Sequence, residues 1–241
     1  MRIVSQNMII EPNNCYNIDC EIGMKLMQEQ GLKVDWCITD PPYGIDIGSM
    51  AYTKQGAVRN GKAKALTRDY SDTNRDWDSK GIDKEYFDLI KQVSTNQIIF
   101  GGNYYTNYLE PTKSWVVWNK RQYDEKDRCD FGDCELAWCS KGVARCFNYL
   151  YNGMIQGDMK NKDERFHPTQ KPTQLWCKLL NYYTKENDLI LDPFAGSQSL
   201  RIACHKLQRR YIGFEIDKEY YDKGCEWYNK VASQISMFDL L

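Results

Sequence analysis

Apolar residues along this chain fall into two rhythms, short unbroken runs and stripes at helical spacing, and their order predicts the fold. Residues 14–18 read as a short strand ending at Asp19. Residues 21–30 read as a helix with Ile22, Met24, Leu26 and Met27 as its apolar positions and Gly31 as its stop. The run Val34-Asp35-Trp36-Cys37-Ile38 is a buried strand. Strand, helix and strand fit within about thirty residues, the size of a βαβ unit. Farther on, residues 85–93 predict a helix, 97–100 a buried strand closed by Gly101-Gly102, and 103–109 a short helix. Strands follow at 114–118 and 135–138, then a helix over 173–183 with Leu175, Trp176, Leu179 and Leu180 as its stripe. A strand at 188–191, a helix to about 207, a strand at 210–214 and an amphipathic helix from 218 to about 234 complete the chain. Strands alternating with helices predict an α/β fold with a mainly parallel central sheet, organised as a single domain over 1–241.

Two stretches break the rhythm. Residues 46–80 are polar and contain Gly48, Gly56 and Gly61, and Lys54, Arg59, Lys62, Lys64 and Arg68 follow one another with no acid between. The segment reads either as a solvated loop or as a mobile basic lid that orders on a phosphate backbone. Residues 141–166 are irregular and carry Arg145, Lys160, Lys162 and Arg165, a candidate for a small target-recognition insertion.

Composition narrows the class. The 241 residues are 42% hydrophobic and 13% aromatic, ample for a core, and the net charge is -1, so any nucleic-acid contact must use local patches. No run of about 18 apolar residues and no secretory leader is visible, and a cytoplasmic setting is expected. The ten cysteines are mostly scattered singly in apolar surroundings, as reduced core thiols would be. No CxxC pair occurs, and Cys134 and Cys139 of one strand point to opposite faces, so no metal site is expected.

The candidate chemistry lies in two loops. Thr39-Asp40-Pro41-Pro42-Tyr43-Gly44 follows a buried strand. Its prolines fix φ and donate no hydrogen bond, so the Asp40 carboxylate and the Pro41 carbonyl suit the two hydrogens of an aromatic primary amine. Tyr43 suits stacking on the ring. Taken alone, the loop reads equally well as a Pro-Pro turn. Farther on, a strand runs into Asp192-Pro193-Phe194-Ala195-Gly196-Ser197, then a helix, then a strand ending at Glu215. This is the layout of a nucleoside-cofactor site. Gly196 permits close backbone approach at a helix start, and Glu215, about 20 positions on, is placed to chelate ribose hydroxyls. The turn lacks GxGxxG and the P-loop GK[ST], and Asp192 at its mouth suits a cationic ammonium.

In that order, TDPPYG, HPTQKP, DPFAGS and GFEID resemble the β-class amino-methyltransferases of DNA, circularly permuted S-adenosylmethionine enzymes that modify the exocyclic amine of adenine or cytosine. The resemblance covers about residues 14–231, and Trp115–Lys120 with 135–138 is similar to small phage and prophage members. It implies a Rossmann-like methyltransferase fold, S-adenosylmethionine as cofactor and double-stranded DNA as partner, and leaves a homodimer open. Asp40, Pro41, Pro42 and Tyr43 match the catalytic loop, and Asp192, Phe194, Gly196 and Ser197 the cofactor turn, with Glu215 the ribose acid. Asp19 resembles the acid that contacts the cofactor's adenine amine. His167, Thr169 and Lys171 of HPTQKP match residues beside its methionine part, although a helix-start hydrogen bond is an equally plain reading of His167.

The chain departs from the family's DPFxGSG at Gln198. If that position needs positive φ, Gln costs on the order of 1 kcal/mol. If it is already the first helical turn, Gln is tolerated and its amide reaches the ligand. The expected activity is N6-adenine methylation, because the loop opens on Asp where many cytosine-directed relatives carry Ser. The alternatives are N4-cytosine methylation, or a decayed nucleic-acid-binding module to which Gln198 points. A protein-glutamine methyltransferase is disfavoured, since its cofactor turn precedes its Pro-Pro-Tyr loop.

Overall fold

A computed structural model of the protein describes residues 8–44, 81–120, 132–152, 155–167 and 169–238. The chain divides into two compact units, Met1–Pro41 with Lys84–Leu241, and Pro42–Asp83. The basic segment 46–80 lies outside the described residues, as do Cys129 and Pro168.

In the first unit the elements run β1 (Asn14–Tyr16), α1 (Cys20–Glu29), β2 (Val34–Thr39), α2 (Lys84–Val93), β3 (Ser94–Phe100), β4 (Trp115–Asn119) and β5 (Cys134–Cys139). They continue through β6 (Arg145–Asn148), β7 (Tyr151–Asn152), β8 (Ile155–Gln156), α3 (Thr173–Tyr183), β9 (Leu189–Asp192), α4 (Ser199–Lys206), β10 (Arg210–Phe214) and α5 (Lys218–Phe238). The main sheet has the order β1-β10-β9-β2-β3-β5-β4-β6, and β7 and β8 form a separate antiparallel pair. Neighbours in the main sheet are parallel except β5, which runs antiparallel to both β3 and β4.

Local chemistry explains the element ends. Asp19, read as following a strand, is the N-cap of α1, its carboxylate accepting the Glu21 N–H at 2.7 Å. At the other end Leu32 N–H bonds Met27 O and Gly31 N–H bonds Gln28 O, with Gly31 at φ 64°. That is a Schellman stop, and the left-handed residue is a glycine. Trp36, Ile38, Ile98 and Phe100 join Leu175, Leu179, Leu200 and Ala203 in one core cluster. The alternate strand residues Cys37 and Ile99 point to the opposite face and are buried as well.

Three expectations are corrected. The helix expected over 103–109 is a single 3-10 turn at Gly102–Tyr104 followed by turns. Gly101 is left-handed at φ 66°, and a Cβ on Gly102 would fall 2.6 Å from that of Trp138, so the chain is pressed against β5 where a helix has no room. The stretch read as irregular, 141–166, contributes β6 to the edge of the main sheet, paired in parallel with β4. α3 starts at Thr173 with Pro172 as N-cap, so the helix start lies beyond His167 rather than beside it.

Candidate active site

The site follows from the strand order. From β9 the chain crosses to β10 on one side, and from β2 it crosses to β3 on the other. A crevice therefore opens at the carboxyl ends of β9 and β2, where ligands of open α/β sheets bind. β9 ends at Asp192, and β2 ends at Thr39, one residue before Asp40. The strands pair directly, and Thr39 Oγ1 donates to Asp192 Oδ1 at 2.9 Å, locking the two loops together.

A cleft at this point is lined by Asp40, His167, Thr169, Lys171, Asp192, Phe194, Gly196 and Ser197, all singled out from sequence. Gln170, Trp176, Ala195 and Ser199 line it too, without having been anticipated. Glu215 stands behind the turn. Its carboxylate accepts Gly196 N–H at 2.7 Å through one oxygen and Asp217 N–H at 2.8 Å through the other. Asp19 is not among the lining residues. Asn17 nevertheless ties its loop to the carbonyls of Glu215 at 2.8 Å and Ile216 at 3.1 Å. Pro41 is buried, and Pro42 and Tyr43 begin the second unit.

Charge in the cleft is uneven. Asp192 is 5% exposed. Burial pushes its carboxyl up to about 7 against the hydrogen bonds from Thr39 and Phe194 N–H, and Asp40 and Glu215 raise it further. Burial likewise pushes Glu215 up to about 7, opposed by the N–H groups of Asp217 and Gly196. Lys171, only 6% exposed, carries its ammonium against Asp40 Oδ2, with Glu135 Oε2 at 3.0 Å. Burial works against this ammonium, but the Asp40 and Glu135 carboxylates outweigh it and hold its pKa above the ordinary range.

The HPTQKP segment is a tied loop. Gln170 Nε2 donates to Glu164 O at 2.7 Å, and its Oε1 accepts Phe166 N–H at 3.3 Å. His167 shares a 3.3 Å hydrogen bond with Thr169 through Nδ1 and packs its ring on Tyr220 at 4.3 Å between centroids. A Cβ on Gly196 would lie 3.5 Å from His167 Nε2, and Gly196 has φ 49°, so this turn is shaped for glycine.

Gln198 takes the positive-φ course, with φ 60°. Its side chain is fully buried and turns away from the cleft. Its Nε2 donates to Tyr221 O at 3.0 Å, and its Oε1 accepts from Arg201 at 2.9 Å. Room comes from Gly224 of α5, where a Cβ would fall 2.6 Å from Gln198 Nε2.

Among groups that sequence reasoning did not assign, Glu135 and Lys120 matter most. Lys120 Nζ lies 2.7 Å from Glu135 Oε1. Both residues stood inside the WVVWNK and ELAW stretches. Their pairing across two antiparallel strands and a distant loop left no local signal.

A family model described as DNA methylase, of the N6/N4 methyltransferase type, matches residues 102–226. The type II methyltransferase M2.LlaDCHI of Lactococcus lactis subsp. cremoris is 39% identical over 155 residues, 63% of this chain and 55% of that protein. M2.DpnII of Streptococcus pneumoniae is 43% identical over 142 residues, 58% of this chain and 50% of that protein. The matches thus span about half the length of these curated relatives. Among solved structures, the M1.HpyAVI–SAM complex has a TM-score of 0.56 at 25% identity, covering 88% of this chain and 98% of that one. The cytosine-N4-specific PvuII DNA methyltransferase, at 14% identity and TM-score 0.53 over 94% and 97% of the two chains, shares the fold. With the family model matched over more than half of its residues, the chain belongs to the N6/N4 DNA methylase family.

Proposed function

We propose that the protein is an S-adenosylmethionine-dependent DNA methyltransferase acting on the N6 amine of adenine. The carrying observation is that Asp40 of the TDPPYG loop and the turn from Asp192 to Ser197 line one cleft at paired strand ends. This brings a carboxylate suited to a target amine beside a turn suited to a nucleoside cofactor.

The residues fit that cofactor. Gly196, at φ 49°, takes a left-handed course that L side chains rarely adopt and leaves its side of the turn without a side chain. Asp192 has the Asp40 and Glu215 carboxylates as charged neighbours, a negative field that favours a cationic ammonium. Glu215, beside the turn, is the carboxylate for ribose hydroxyls, and Asp19 is assigned to the adenine amine from the motif. Gln198 leaves the cleft side of the turn to Gly196 and Ser197, so the feature that pointed to a decayed module does not obstruct it. When bound, S-adenosylmethionine supplies a methyl group on a positively charged sulfur, which is a strong leaving group.

The chain's own residues then do the positioning. The target base leaves the duplex, as enzymes acting on base atoms require. Asp40 and the Pro41 carbonyl accept the two amine hydrogens, drawing the nitrogen lone pair out of ring conjugation. Pro42 stiffens the loop and Tyr43 stacks on the base, roles assigned from the motif. Orientation of this kind supplies a large share of the rate for a good leaving group. The adenine assignment rests on Asp as the first loop residue, and the TDPPYG-before-DPFAGS order supports the permuted arrangement.

Asp40→Ala tests the proposal. Cofactor binding should persist, while methyl transfer to DNA should fall by at least about 10²-fold. Undiminished turnover would contradict it.

A further inference from the structure

We infer that Lys171, carried on a Glu135–Lys120 relay, is the positioning residue for Asp40, fixing its carboxylate in the acceptor role rather than contacting the cofactor. The inference rests on the methyltransferase reading of Asp40.

Four side chains of alternating charge cross the carboxyl-end edge of the sheet. Lys120 follows β4 and pairs with Glu135 Oε1 at 2.7 Å. Glu135 Oε2 lies 3.0 Å from Lys171 Nζ, an ion pair not aligned as a hydrogen bond, and Lys171 Nζ donates to Asp40 Oδ2. Antiparallel β5 makes this chain of charges: because β5 runs opposite to its neighbours, its early residue Glu135 reaches the edge where β3 and β4 end. The Lys171 ammonium also stands 5.2 Å from the centroid of the Phe100 ring, the last residue of β3. An ammonium is a compact point charge with three donors and no fork, so its position is set by the carboxylates that flank it.

Burial separates this arrangement from a surface ion pair. Lys171 is 6% and the Asp40 side chain 17% exposed, where solvent screening is weak. Removing one member of such a chain leaves its partner's charge uncompensated. The two carboxylates hold the Lys171 pKa above its ordinary value. Burial opposes the Glu135 charge, but Lys171 and Lys120 outweigh it and hold that carboxyl below its ordinary range. Two resident carboxylates thus flank Lys171, and a cofactor carboxylate would have to compete with both for its ammonium.

The test follows the Asp40 carboxyl by carbon-13 chemical shift as pH is varied, together with kcat and cofactor affinity, in wild type, K171M and E135Q. Among the described residues, the groups facing Asp40 include Lys171 and Asp192, with Glu135 and Lys120 behind Lys171 and His167 in the same cleft. In K171M the Asp40 titration should move up by about one pH unit or more, through loss of a cation. The kcat should fall about 10²-fold while the cofactor Kd stays within about threefold. In E135Q the titration should move down, because the Glu135 charge that shares Lys171 with Asp40 is gone. Opposite shifts in the two variants show that both charges act on Asp40, the kcat loss at unchanged cofactor Kd separates positioning from cofactor contact, and E135Q keeps the test alive if K171M fails to fold. An Asp40 titration unmoved in both variants would overturn the inference. So would a K171M defect confined to the cofactor Kd. If wild type transfers no methyl group while the titrations shift as stated, the functional reading fails and the relay stands.

Discussion

Asp192 and Glu215 are carboxyls that the fold holds in a state water would not. Both have pKa values pushed to about 7 by burial, so each binds a proton more readily folded than unfolded. The stability that proton confers is complete below the unfolded pKa and is lost as pH rises through about 7. Asp192→Asn keeps an oxygen acceptor for Thr39 and Phe194 N–H and removes the charge. It should therefore gain on wild type by a few kcal/mol between about pH 5 and pH 8 in urea titrations. A constant difference across that range would contradict the assignment. Near pH 6, a cationic ligand group at Asp192 should also release protons on binding, read as a buffer-dependent calorimetric enthalpy. Gln198 and Gly224 form a second residue-scale pair. Gly224→Ala should destabilise by about 1–3 kcal/mol, because its Cβ would lie 2.6 Å from Gln198 Nε2. Adding Gln198→Gly should recover about 1 kcal/mol or more as a coupling energy, and simple additivity would deny the contact.

At the scale of elements, the strands and helices around the site were legible because their patterns are local. The turn after Leu191 and the loop after Ile38 follow continuous apolar runs, and their chemistry is written in contiguous residues. What could not be read was made by pairing. β6 has the sequence Arg-Cys-Phe-Asn, largely exposed, and is a strand because β4 supplies its hydrogen-bond partners. The antiparallel course of β5, which delivers Glu135 to Lys171, has no signature in Cys134–Cys139 itself. Position Gln198 was legible as a departure from the family pattern, but its outcome depended on Gly224, far along the chain. The start of α3 is another distant arrangement. Pro172 has no side-chain cap to give, and Asp163 Oδ2 accepts the Thr173 N–H at 2.7 Å instead. Gln156 holds Asp163 in place through bonds of 3.0 and 3.1 Å to its backbone. Asp163→Ala should lower stability by about 1 kcal/mol, the cost of a lost cap, in thermal or urea unfolding. An unchanged midpoint would show that α3 starts without it.

At the scale of the molecule, the crevice arises because crossovers leave β9 and β2 in opposite directions. The chain thereby sets Asp192 and Asp40 side by side although they lie far apart in sequence. Among the described residues, no helix is long and apolar enough to cross a membrane. On the proposed function, the net charge of -1 puts the contacts to DNA in local patches, and binding should weaken with salt only as far as those patches contact phosphates. The most direct measurement is transfer of labelled methyl groups from S-adenosylmethionine to unmethylated genomic DNA, with the digested bases separated afterwards. The account predicts label in N6-methyladenine. Label confined to N4-methylcytosine would contradict the adenine assignment, and cofactor binding without label in any base would contradict the claim that this cleft methylates DNA.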